Sequence, residues 1–128
     1  MSSYIIVRED NYEVRAVSTL NSEFKTDIPA VEFLNAHARS GQYSSNAKSF
    51  MMLFDRYAKS LRSNLTADLL HEVDKSEKIS EFIKGDLRVF CFFDGNHAVL
   101  THGCIKKGQK VDRTEITRAI SLRKIYKT

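Results

Sequence analysis

Leu87-Arg88-Val89-Phe90-Cys91-Phe92-Phe93, then Asp94-Gly95-Asn96, then His97-Ala98-Val99-Leu100-Thr101-His102-Gly103-Cys104-Ile105 is the stretch whose reading decides the fold. Two runs rich in β-branched and aromatic residues flank an Asp-Gly-Asn turn, the clearest hairpin signal in the chain. Just upstream, Ile79-Ser80-Glu81-Phe82-Ile83 alternates as a half-buried strand does, and Gly85-Asp86 turns the chain toward Leu87. The C-terminal half is therefore expected to be an antiparallel meander.

Toward the N-terminus the period changes. Phe50, Leu53, Phe54, Tyr57, Ala58, Leu61 and Leu65 recur at three and four residues with Lys48, Asp55, Arg56, Lys59 and Arg62 between them, the pattern of a core-facing amphipathic helix. At this spacing the aromatic and Met51-Met52 stripe reads as core. Thr66 to Val73 adds a short helical turn. A first helix is expected near 28–40, with Asp27 as cap, Pro29 in the first turn and Gly41 at its end. Tyr4–Val7 and Tyr12–Val17 around Asp10-Asn11 read as an N-terminal hairpin. Beyond the meander, Asp112 and Glu115 form an acidic variant of a capping box, and Ile116, Ala119, Ile120 and Ile125 give a closing helix near 113–126 its apolar face. The expectation is an α+β chain with one domain over 1–128.

Composition agrees with a folded globule: 128 residues, 42% hydrophobic and a net charge of +4 lie outside the disordered class. Cys91 and Cys104 are the only cysteines and no Cys/His cluster has ligand spacing, so neither a metal nor a cofactor is expected. With no apolar run of membrane length and no signal-peptide pattern, a cytoplasmic location with free thiols and no membrane partner is expected. The charge is uneven. Residues 1–105 carry 12 Lys/Arg against 14 Asp/Glu, whereas residues 106–128 carry 8 against 2, a local net of +6. A basic patch draws polyanions by neutralising phosphates and releasing counterions, so nucleic acid is the first partner to consider; the plainer alternative is a solvated basic helix end.

Several spaced elements of the C-terminal half then resemble one family. Leu87-Arg88-Val89-Phe90, Val99-Leu100-Thr101-His102-Gly103, Lys106-Lys107-x-Gln109-Lys110 and Glu115-Ile116-x-x-Ala119 are similar to the phage-derived, HigB-like branch of the RelE/HigB toxin superfamily, over about residues 79–126. The resemblance implies a compact antiparallel sheet of four to five strands with helices on one face. It also implies endonucleolytic activity, often on mRNA in the ribosome, and a cognate antitoxin that commonly carries a helix-turn-helix domain. ParE-like relatives on the same scaffold inhibit DNA gyrase, so a non-catalytic binding protein, gyrase-directed or a phage nucleic-acid binder, is the competing class.

The chemistry can be argued from the residues. A ribonuclease without a metal must activate the ribose 2′-hydroxyl, offset the charge of the phosphorane and protonate the 5′-oxygen; it leaves a 2′,3′-cyclic phosphate. Arg88, inside an apolar strand, is the candidate phosphate clamp, because a guanidinium binds two oxygens in one plane. Its alternative is a structural ion pair with Glu81. Lys106 and Lys107 are candidates for transition-state charge, and Lys84, Lys110, Arg113 and Arg118 for RNA-backbone contact. His102 can serve as acid or base, or be a structural residue. A three-residue loop at Asp94-Gly95-Asn96 puts His102 opposite Arg88, and a two-residue loop puts it on the other face.

Overall fold

The computed structural model describes residues 3–19, 27–106, 108 and 112–127. In chain order these form β1 (Tyr4–Glu9), β2 (Glu13–Val17), α1 (Pro29–Arg39), α2 (Ser44–Ser60), β3 (Leu70–Asp74), β4 (Ile79–Lys84), β5 (Leu87–Asp94), β6 (His97–Ile105) and α3 (Arg113–Lys127). The expected hairpins and helices are present within a few residues, and the α+β class holds.

The sheet is larger than the four to five strands expected and is not wholly antiparallel. Its order is β1-β2-β6-β5-β4-β3, and β2 pairs with β6 in parallel through Val14↔Ala98, Arg15↔Val99 and Ala16↔Leu100. The sixth strand, β3, replaces the helical turn expected at Thr66 to Val73: only Thr66 to Leu69 turns, and Leu70–Asp74 pairs antiparallel with β4. An edge strand pairs on one side alone and keeps polar residues such as His71 and Glu72, so it lacks the alternation that marks inner strands.

Helices lie on both faces rather than one. Strand alternation explains this, because β5 is apolar at nearly every position and each parity needs its own cover. Leu87, Val89 and Cys91 face α1 and α2, where Phe50, Phe54 and Tyr57 fill the space above Phe82. The Phe54 and Phe82 rings meet edge-on at 5.1 Å. Phe90 and Phe92 face the other way, onto Ile116, Ala119 and Leu122 of α3. Burying Ile116 and Leu122 contributes about 1.5–3 kcal/mol each. At the α3 entrance the Asp112 side chain accepts the Thr114 N–H at 2.9 Å, one half of the expected capping box. The other half, Glu115, turns instead toward β6.

Candidate active site

Arg88, Glu81 and His71 come together because three strands place them on one sheet face. Arg88 is cross-strand from Ile83 and Cys104, Glu81 from Phe90, and His71 from Glu81, so all share the face of Phe90. That is the α3 face, at the end of the sheet where α3 begins.

The register there depends on a bulge. The β5–β6 loop holds two residues, Gly95 and Asn96, with Gly95 at φ +60° and Asp94 paired with His97. A regular ladder from this loop would put His102 opposite Val89, on the α1–α2 face. The register instead shifts between Val89 and Cys91, whose partners are Gly103 and Leu100, so that Thr101 and His102 together oppose Phe90. His102 is thereby turned onto Arg88's face, where its ring stacks on Phe90 at 5.0 Å. Gly103 lies on the opposite side against Phe33 of α1, and a Cβ there would overlap the phenyl ring.

His102 is 1% exposed. Its Nε2 is 3.0 Å from Glu115 Oε1 and its Nδ1 is 3.2 Å from the Thr101 hydroxyl. Burial pushes its pKa well below the ordinary value, and the nearby Arg118 charge adds to this while Glu115 opposes it. The ring is therefore neutral at pH 7. Beside it, Pro29, Glu32, Phe33, His102, Gly103 and Arg118 line a cleft of about 280 Å³.

Arg88 is 15% exposed in its side chain and held on two sides. Its Nη1 donates to the carbonyls of Gly85 at 2.6 Å and Leu87 at 3.1 Å, and its Nε lies 3.6 Å from Glu81 Oε2. The alternative of an ion pair with Glu81 is thus realised in geometry, and it coexists with a guanidinium at the sheet's end. Lys106 is anchored to the same end, its backbone N–H donating to Asp86 O at 2.8 Å.

Glu81 is the unusual member. Its side chain is 1% exposed, yet neither carboxylate oxygen has a hydrogen-bond partner among the described residues. What it has is charge nearby: His71 Nε2 at 3.2 Å and Arg88 Nε at 3.6 Å from the same oxygen, Oε2. Burial raises the Glu81 pKa, and His71, Arg88 and Lys106 pull it back. Cys104, the neighbour across from Arg88, is a protonated thiol pushed up to about 12 by burial and by Glu115, so it is no nucleophile at neutral pH.

The remaining expected contacts separate. Lys84 pairs with Leu87 and so lies on the α1–α2 face, away from Arg88. Arg113 is spent on Asp74, whose carboxyl the Glu77 N–H and this guanidinium hold below the usual range. Arg118 is exposed on α3 and lines the His102 cleft. Lys107 and Lys110 lie outside the described residues. Sequence reasoning named Glu81 only as a partner for Arg88 and missed His71. A signal for Glu81 was present, since its parity in β4 is that of Ile79 and Ile83, a carboxylate on an apolar face. His71 carries none, because the edge segment Leu70–Asp74 lacks the alternation that marks a strand.

An α+β sheet closed by a helix, with a basic residue pair at its open end, is compatible with the RelE-like fold. The chain belongs to the family described as Phage derived protein Gp49-like (DUF891), whose profile matches residues 44–124, well over half of the sequence. This family lies within the RelE/HigB-like toxin superfamily and is a toxin family of toxin–antitoxin systems, which implies an antitoxin partner. The match runs from the start of α2 into α3 and includes His71, Glu81, Arg88, His102 and Lys106. A comparison with curated proteins finds no match. No helix among the described residues is long and apolar enough to cross a membrane.

Proposed function

We propose that this protein is the toxin of a type II pair and acts as a metal-independent endoribonuclease on mRNA in translating ribosomes, leaving 2′,3′-cyclic phosphate ends. The observation that carries the reading is Arg88 within the apolar run Leu87–Phe93 of β5, on the same sheet end as Lys106. A held guanidinium and a lysine at one sheet end suit a phosphodiester and the extra charge its phosphorane acquires. Lys107 follows Lys106 directly and shares this role, and Lys110 and Arg118 supply weaker backbone attraction, whereas Lys84 on the opposite face and Arg113 in its pair with Asp74 take no part. His102 supports the site as a neutral residue that fixes Glu115 and the start of α3.

The antitoxin, in this reading a helix-turn-helix protein, silences the toxin by laying acidic groups over the basic segment that begins at Lys106. The test is cleavage of an mRNA by purified protein with translating ribosomes, followed by end-group analysis. Arg88→Ala is expected to slow cleavage about 10²–10³-fold while the fold survives, the usual effect of removing one transition-state donor. A 3′-hydroxyl product, or a folded Arg88→Ala protein with full activity, overturns the assignment.

A further inference from the structure

The nuclease reading leaves two proton transfers without owners, since Arg88 keeps its proton and His102 is neutral and enclosed. Buried acceptors without donors are rare in folded proteins and call for an explanation. Glu81 presents two of them, in contact distance of the arginine that would hold the phosphate.

We propose that Glu81 and His71 are the proton acceptor and donor of the cleavage: Glu81 takes the proton of the ribose 2′-hydroxyl, and His71 gives one to the departing 5′-oxygen. The inference rests on the nuclease reading above and deepens it by naming a ribonucleotide's 2′-hydroxyl as the group recognised.

The geometry supports each half. A ribonucleotide carries its 2′-hydroxyl beside its own 3′-phosphate, so a phosphate on Arg88 brings the hydroxyl to the carboxylate 3.6 Å from that guanidinium. Glu81 itself is 1% exposed, and the two groups against its Oε2 lead outward from it: Arg88, 15% exposed, and His71, 38% exposed on the edge strand β3. His71 lies beside the carboxylate within charge-contact distance, without a hydrogen bond to it. Its Nδ1 lies 3.1 Å from the Ala67 carbonyl, an acceptor, and its Nε2 faces Glu81. In the proposed step the imidazole supplies one proton and the carboxylate takes one.

The protons balance. The proposed step starts from the imidazolium beside the carboxylate. The 2′-oxygen forms its bond to phosphorus as its proton passes to Glu81, and the bond from phosphorus to the 5′-oxygen breaks as the Nε2 proton passes to that oxygen. The pair is left as neutral imidazole and protonated carboxyl, and a proton moving from Oε2 to Nε2, 3.2 Å apart, restores the starting state. Among the described residues the other groups facing the pair are Arg88 on β5, Lys106 after β6 and the Cys104 thiol on β6; burial raises the Glu81 pKa and the two cations act against that rise.

The test compares an mRNA with one whose scissile bond carries sulfur in place of the 5′-oxygen, each cleaved by purified protein with ribosomes. A thiolate leaves without a proton. His71→Gln is expected to lose about 10²–10⁴-fold on the oxygen substrate, the range for a general acid or base, and to recover most of it on the sulfur substrate. Glu81→Gln is expected to lose a similar factor on both, and Arg88→Ala to gain no rescue from sulfur. A His71→Gln loss equal on the two substrates, or a folded Glu81→Gln protein with full activity, overturns the inference while leaving the nuclease standing. A wild-type protein that cleaves neither substrate removes the nuclease reading and this inference with it.

Discussion

The two faces of the sheet are built to different ends. Beneath α1 and α2 the surface is continuously apolar: Phe50, Phe54, Tyr57, Phe82, Leu87, Val89 and Leu100 pack with no buried charge among them. Beneath α3 only half of the surface is like this. Phe90, Phe92 and Val99 meet Ile116, Ala119 and Leu122, but toward the start of α3 the same face turns ionisable, with His71, Glu81, Arg88, Cys104 and His102. Burying charge is costly unless it is paired, so a fold concerned with stability alone would have continued the apolar pattern. The second face trades some stability for a concentration of titratable groups, which is where perturbed proton affinities and function tend to coincide.

The largest effect tests the first face. Phe54→Ala is expected to cost about 3–5 kcal/mol in a denaturant titration, as a fully buried aromatic truncated in a packed core. A loss under about 1 kcal/mol would mean that the two faces do not differ as described.

The next prediction sharpens the second face. His102 has an ordinary pKa of 6.5 when unfolded and a lowered one, about 4, when folded. Well above pH 6.5 this ring is neutral in both states and adds no pH dependence. As pH falls toward 4 the unfolded chain takes a proton that the folded chain refuses, so stability drops by up to about 3 kcal/mol and levels off below. Urea titrations from pH 7 to 4 should show this slope in the wild type and a shallower one in His102→Gln. Equal slopes would place the acid sensitivity elsewhere.

The smallest expected effect separates the faces for function. Lys84 is close to Arg88 in sequence yet on the opposite face. Lys84→Ala should therefore change cleavage less than about threefold, against the 10²–10³-fold expected of Arg88→Ala. Comparable losses in the two variants would show that side, as opposed to charge alone, does not decide the role.

Legibility in the sequence followed the same division. The α1–α2 face could be read directly, since Phe50, Leu53, Phe54 and Tyr57 repeat at helical spacing and need no knowledge of what they touch. Arg88 was legible as a misfit in an apolar strand, and Lys106 by its place just after the last one. Glu81 was half legible: its parity marked it, but its lack of hydrogen-bond donors depends on residues from β3 and β5.

From the amino-acid order alone came most of the elements, the hairpin turn at Asp94-Gly95-Asn96, the basic segment and the toxin resemblance, because periodicity and turn chemistry act within a few residues of the chain. The tertiary structure alone decided that β2 closes on β6 in parallel, that Leu70–Asp74 becomes a sixth strand, that the bulge at Thr101 and His102 reverses the side the loop length implies, and that His71 reaches Glu81. Each of these is a pairing between segments, and a strand takes its register, and so the direction of every side chain, from the partner it finds.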